Sequence, residues 1–357
     1  MPLANQMIFV ALLSLALGGF NALLMAQELP QQTGVAGQKL VILNWDDYLD
    51  PALVKKFEQK HKVSINQSLY ESDDHRDQLM KESQGQGWDL VVVSGLMVEA
   101  YLKQGWLAAT PMVMNEPFIN VHWTDDFSGA KDYVVPYFWG TLGIAYRNDL
   151  VSHPITHWRQ FFNPSEELTG KISLINSSRD VVGMALKSLG HSANSTNETH
   201  LLRAHELLLK FRTSVNTLHY IDLDERSLML TGEIVAAMMY SGDTLMLQEH
   251  NPNITYVLPQ EGGNIWVDYI GVLRSSKQQE LAWQFIRFIN EPENAAQLAQ
   301  YINYATPNTE AQKLLPADFL DNTAIYPSKG ALKKSEYYKV LPKRTRDRYN
   351  KIFSLLK

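Results

Sequence analysis

Trp45-Asp46-Asp47-Tyr48 sets two carboxylates between two aromatic rings, one residue after the apolar run Leu40-Val41-Ile42-Leu43. Carboxylates accept ammonium N–H bonds, and aromatic faces attract cations while covering methylene groups. The set therefore suits an organic cation with an apolar body. A short apolar run ending in such a cluster reads as a buried strand opening into a cleft, where open α/β sheets place ligands. The same four residues also fit a strand followed by an Asp helix cap, with Trp45 and Tyr48 as ordinary core.

Catalytic chemistry finds no comparable seat. The tightest histidine pairs are His153/His157 and His200/His205. The first is interrupted by Pro154 and the second has the wrong offset for two ligands one helical turn apart, so both read as satisfied surface or core residues. The chain has no Cys, and it contains neither a Gly-x-Ser-x-Gly elbow nor a phosphate loop. No enzymatic activity, catalytic residue, cofactor or metal is expected. Clustered tyrosines could serve an iron carrier, but Tyr337-Tyr338 lies in a Lys-rich tail and reads as packing or surface.

The elements that must position Trp45 and Tyr48 alternate short β-branched runs with amphipathic helical patterns. Residues 40–43, 63–69 and 88–93 read as strands, and residues 51–61, 75–83 and 98–104 as the helices between them. This βαβαβα rhythm implies a mostly parallel sheet with helices on its faces. Residues 134–136 and 143–146 read as two further strands, the second a crossover. A second α/β unit follows, with strands at 171–175, 234–240 and 254–258 and helices at 181–189, 199–212 and 223–231. Residues 266–273 would return to the first unit before helices at 278–290 and 295–302. Two lobes that exchange strands twice form a hinge, and the cleft between them is the natural ligand site. The expected boundaries are 38–143 plus 267–312 for lobe 1 and 144–266 plus 313–357 for lobe 2.

The first 26 residues carry no charged side chain and end in small residues at Ala22-Leu23-Leu24-Met25-Ala26. They read as a cleaved secretory signal peptide, which places the mature chain in the periplasm. Without Cys there is no lipid anchor on a cysteine and no disulfide framework. The remaining length fits two lobes better than one core, because single cores stop growing at about 250–300 residues. A net charge of −6 with no basic patch argues against nucleic acid and is compatible with a cationic ligand.

Taken in order along the chain, eight segments resemble the periplasmic polyamine-binding proteins, the spermidine/putrescine receptors of bacterial ABC importers. They are Asn44-Trp45-Asp46-Asp47-Tyr48, Tyr70-Glu71-Ser72, Trp88 to Ser94, Val135 to Gly140, Arg179-Asp180-Val181, Pro259 to Gly263, Trp266-Val267-Asp268 and Tyr304 to Asn308. The resemblance implies an α/β, two-lobed periplasmic-binding-protein fold of type II with a hinge between the lobes. It further implies that Trp45, Tyr48, Trp266 and Tyr304 line the cleft, and that Asp268 and Asp180 hold amines. Asp47 joins this set from the acidic pair. Tyr240-Ser241-Gly242-Asp243 stands where the family has a Trp-x-Gly segment, and Asp243 resembles the putrescine-type members.

Departures from the spermidine type are Ser177, where an Asp precedes the second-lobe acid, and Leu96-Met97, where a Tyr follows the third strand. On this reading Asp268 and Asp243 serve one end of a polyamine and Asp180 the other, with Trp45, Trp266 and Tyr240 over the carbons. Asp243 also reads as an exposed turn residue and Trp266 as core. The hybrid pocket resembles the branch that reports norspermidine or spermidine to an inner-membrane signalling protein controlling cyclic di-GMP and biofilm. A receptor feeding an ABC permease is the alternative, and a carrier of iron or sugar a second one. A monomer is expected.

Overall fold

The computed structural model describes residues 37–111 and 130–357. The expected signal peptide over residues 1–26 lies outside them. Strands among the described residues are β1 (Lys39–Trp45), β2 (Ser64–Tyr70), β3 (Leu90–Ser94), β4 (Val134–Arg147), β5 (Ile172–Ser173), β6 (Val215–Thr217), β7 (Ala236–Tyr240), β8 (Ile254–Val257), β9 (Asn264–Val272) and β10 (Glu336–Tyr337). They join in one mixed sheet of order β2-β1-β3-β9-β4-β7-β5-β6, with β10 on β9 and β8 on β4.

β1 runs parallel to both β2 and β3, as a βαβ rhythm requires. Leu90 to Val93 of β3 are all 1% exposed or less, because helices cover both faces of such strands. The helix Pro51–His61 between β1 and β2 starts where Asp50 accepts the Ala52 amide at 2.7 Å and Pro51 presets the first turn. Lys62, in the left-handed region at φ 56°, ends it.

The two expected strands at 134–136 and 143–146 are one fourteen-residue strand, buried throughout. The aromatic run Tyr137-Phe138-Trp139 carries the chain across without a break, and a register shift after Pro136 absorbs the residue that lacks an N–H. The first part of β4 pairs antiparallel with β9, and its last part with β7 and β8. The change of partner falls at Leu142, which faces both Asn264 of β9 and Tyr240 of β7. β9 in turn pairs with β3 from Asp268 to Val272.

The cores divide the same way. Leu40, Leu53, Phe57, Phe285 and Leu315 pack on one face of the β1–β3 sheet, and Leu43, Tyr70, Val91, Tyr269 and Ile325 on the other. Trp158, Phe161, Val182, Leu208, Leu341 and Ile352 build a separate core around β5 and β7. The expected helix over 223–231 is shorter, Leu228–Thr231. Asp224 accepts from the Arg226 amide and guanidinium, and this local bonding holds residues 224–227 in a turn instead.

A cleft of tyrosine-held carboxylates

Three strand ends and two helix starts supply the site. Trp45 closes β1 and lies beside Tyr70 at the end of β2, ring centroids 4.4 Å apart. Ser94, the last residue of β3, faces Asp268 of β9. Asp268 is 7% exposed and accepts hydrogen bonds from the Tyr48 hydroxyl, at 3.2 Å, and from Trp45. Tyr48 is held in turn by the Tyr137 hydroxyl, which donates to its backbone carbonyl at 2.9 Å.

From the other half come Asp180 and Asp243. Asp180 sits in the first turn of the helix Ser178–Ser188, whose cap is Ser177. Ser177 Oγ accepts the Asp180 amide at 3.2 Å, so the residue that replaces the expected carboxylate works as a helix cap. Asp180 also accepts from the Tyr338 hydroxyl at 2.7 Å. Asp243, in the first turn of the helix Ser241–His250, accepts from Tyr304 at 2.6 Å and from Tyr220. Asp243 is therefore bonded into the site and is no free turn residue.

The walls are aromatic. Trp266 stands edge-on to Tyr304 at 4.7 Å and to Tyr240 at 6.0 Å, and Tyr240 stacks with Tyr220 at 6.1 Å. Trp45, Tyr240 and Trp266 are each partly exposed, leaving ring surface for a guest. Two glycines make room for these walls. A Cβ on Gly140 would lie 2.6 Å from Trp266 Cζ2, and one on Gly242 2.7 Å from the Tyr304 ring.

Electrostatics follow from burial of like charges. Burial raises the Asp268 carboxyl to about 7, the Asp73 charge adds to the rise, and Arg76, Tyr48 and Trp45 work against it. Burial likewise raises Asp180, opposed by the Ser177 and Tyr338 hydroxyls, and Asp243, opposed by Tyr220 and Tyr304. The phenols of Tyr48, Tyr220, Tyr240, Tyr304 and Tyr338 are pushed well up by burial and by these carboxylates, so they stay protonated and donate. A cation entering this space meets unspent negative charge, so it would be drawn in and would relieve the repulsion.

Of the residues expected from the sequence, Trp45, Tyr48, Tyr240, Asp243, Trp266, Asp268 and Tyr304 are linked by hydrogen bonds and ring contacts, Tyr48 meeting Tyr304 edge-on at 6.2 Å, whereas Asp180 bears on Tyr240 through its charge alone. Asp47 is not so linked: it is exposed in a left-handed turn at φ 50°, its amide donating to Asp46 and its charge bearing on Tyr301. Tyr220, Tyr338 and Asp73 are additions. Tyr338 had read as packing or surface, yet its hydroxyl holds Asp180, a contact across 158 positions that no local pattern signals. Among the described residues no group of three or more His, Cys, Asp or Glu could hold a metal ion, and no helix is long and apolar enough to cross a membrane.

The mixed sheet that changes partners along β4 and β9, together with its likeness to solved substrate-binding proteins, defines a two-lobed periplasmic-binding-protein fold of type II. The chain belongs to the bacterial extracellular solute-binding protein family, whose model matches residues 52–327. That family is one of solute-binding proteins rather than enzymes. Among curated relatives, the spermidine/putrescine-binding periplasmic protein of Escherichia coli is 28% identical over 302 residues, covering 84% of this chain and 86% of its own. The norspermidine sensor of Vibrio cholerae is 28% identical over 290 residues, covering 81% and 80%. Among solved structures, the spermidine/putrescine ABC transporter substrate-binding protein from Streptococcus pneumoniae aligns with a TM-score of 0.78 at 29% identity, covering 89% and 98%.

Proposed function

We propose that this protein is a periplasmic receptor that binds a linear polyamine between its lobes, triamines such as spermidine or norspermidine ahead of putrescine. The observation that carries the reading is the set of carboxylates Asp180 and Asp268, both buried, and Asp243, partly buried, each oriented by tyrosine hydroxyls, beside the rings of Trp45, Tyr240 and Trp266. Ammonium groups separated by methylenes match that alternation of acid and aromatic wall. The relatives named for spermidine, putrescine and norspermidine support it. Lobe boundaries are proposed at 143/144 and 266/267, next to the change of partner at Leu142. Leu315 and Ile325 draw the segment after 312 toward lobe 1, and the chain beyond Leu341 belongs with lobe 2.

Closure about β4 and β9 would present a new shape to a membrane partner, since a ligand shifts an equilibrium only by preferring one state. Two partners are open to it. A sensor that reports norspermidine or spermidine to a signalling protein controlling cyclic di-GMP and biofilm is favoured by the altered pocket, with Ser177 and Leu96-Met97 at the changed positions. An ABC permease is favoured by the importer-type relatives. Calorimetry on the mature protein with putrescine, spermidine and norspermidine tests the ligand class: micromolar or tighter binding to at least one is expected. Silence with all three, against heat with sugar or iron, overturns the reading. Small-angle scattering should show compaction with amine, and a pull-down from membranes separates permease from signalling protein.

A further inference from the structure

Arg76 is 0% exposed, yet no ligand chemistry has been assigned to it. A buried guanidinium must be paired, and this one is paired twice over. Its Nη2 donates to Asp77 at 2.9 Å, its Nε to Asp77 at 3.2 Å and to the Tyr101 hydroxyl at 3.1 Å, and its Nη1 to Asp73. Two carboxylates face one guanidinium, so the trio is left with one negative charge in excess, and Asp73 is its exposed member. Asp73 is thus a surplus carboxylate, held by one oxygen, with its side chain half exposed; its other oxygen has no partner among the described residues.

Where that surplus lies follows from the strand ends. Asp73 opens the helix Asp73–Glu82 three residues after Tyr70 ends β2, with Ser72 as the cap. Trp45 bonds Asp268, the Trp45 ring lies on Tyr70, and the Arg76 guanidinium sits 5.5 Å from the Tyr70 ring centroid while holding Asp73. The chain of contacts runs from one amine-binding carboxylate to another acid. The Asp73 charge bears on Asp268, on Asp180 and on the Tyr240 phenol, so it reaches acids supplied by both halves of the cleft.

The geometry points to Asp73 as a fourth carboxylate of the cleft, positioned by Arg76, that receives the inner ammonium of a triamine. This rests on the polyamine reading above. Two end acids suffice for a diamine, whereas a third ammonium without a carboxylate would be left desolvated and unpaired. The competing role for an acid in a helix's first turn is to stabilise the helix dipole, which would make no distinction between guests.

Calorimetry on the mature protein decides, with putrescine, spermidine and norspermidine run against wild type, Asp73→Asn and Asp74→Asn. Loss of one charge-assisted bond should weaken both triamines about tenfold in Asp73→Asn and putrescine less than about threefold. Asp74, exposed in the same turn, is the control, and Asp74→Asn should match wild type for all three amines. A flatter salt dependence for spermidine should accompany Asp73→Asn. Asp73→Ser, which also suits a helix start, gives the same readout should the Asn variant melt early. Equal losses for all three amines, or none, overturn the assignment. A wild type that binds no polyamine overturns instead the function on which it rests.

Discussion

Asp268 and Asp243 lie in one aromatic cleft and are built differently. Asp243 has a tyrosine hydroxyl on each carboxylate oxygen, from Tyr304 and Tyr220. Asp268 has Tyr48 and Trp45 as donors but also the Asp73 charge nearby, and its carboxyl rises to about 7. The first acid has both oxygens occupied by neutral donors, and the second keeps a repulsion that a proton or a cation relieves. The comparison teaches that carboxylates of one site need not contribute equally to capture: what counts is how much of their hydrogen-bonding capacity the protein has already used.

Removing the two acids is the strongest way to break that comparison. Asp268→Ala should lower polyamine affinity about ten- to a hundredfold, the worth of a charge-assisted bond of roughly 1.5–3 kcal/mol. Asp243→Ala should cost less, because two donors already occupy its oxygens. Titration calorimetry on both variants checks the order, and an Asp243→Ala loss exceeding that of Asp268→Ala would reverse it. Asp268→Asn carries a second expectation. The folded protein disfavours the ionised carboxylate, so the empty variant should melt above wild type at pH 8 while binding poorly.

Acidity sharpens the comparison next. With a folded pKa near 7 against an ordinary value of 3.8, Asp268 holds an extra proton in the folded state between those limits. Empty-protein stability from this group is therefore full below about pH 4 and is lost as pH rises through about 7. The upward shifts of Asp180 and Asp243 act in the same direction. Binding has the opposite sign, since an ammonium wants the ionised form. Affinity should fall about tenfold per pH unit below 7 for a single coupled proton, and binding should release protons. Calorimetry in buffers of different ionisation enthalpy reads that release, and a flat pH profile from 8 to 5 would remove Asp268 from the site.

Much of the fold, and the clusters from which the site is proposed, was legible in the sequence because the informative residues are contiguous. Trp45 to Tyr48, Tyr240 to Asp243 and Trp266 to Asp268 are each contiguous, and the βαβ rhythm that carries the first of them is local. What failed was non-local or two-sided. The aromatic crossing Tyr137-Phe138-Trp139 joined two expected strands into one, since a strand buried on both faces loses the period-two signal. Asp47 looked like a partner of Tyr48, but a left-handed turn sends it to solvent. Arg76 and Asp73 sit in an ordinary-looking amphipathic helix, and only the Tyr70 and Tyr101 rings show the guanidinium to be buried.

The smallest expected effect concerns Tyr338, which gives Asp180 the kind of hydroxyl bond that Asp243 has twice. Tyr338→Phe removes one hydrogen bond to a buried carboxylate and leaves the ring stacked by the Arg179 guanidinium, 3.9 Å from its centroid. Two consequences oppose each other. Asp180 loses an orienting donor, and it also loses a competitor for the guest. A neutral donor to a charged acceptor is worth about 1.5–3 kcal/mol when left unreplaced, but an incoming ammonium replaces it. The net change in affinity should stay within about threefold, while the empty protein loses stability because the buried Asp180 carboxylate is then left with the Ser177 hydroxyl and the Arg179 charge alone. Thermal melts with and without spermidine read both: the melting gap between Tyr338→Phe and wild type should be wide when empty and narrow when saturated. A gap unchanged by ligand would mean that the amine does not reach Asp180.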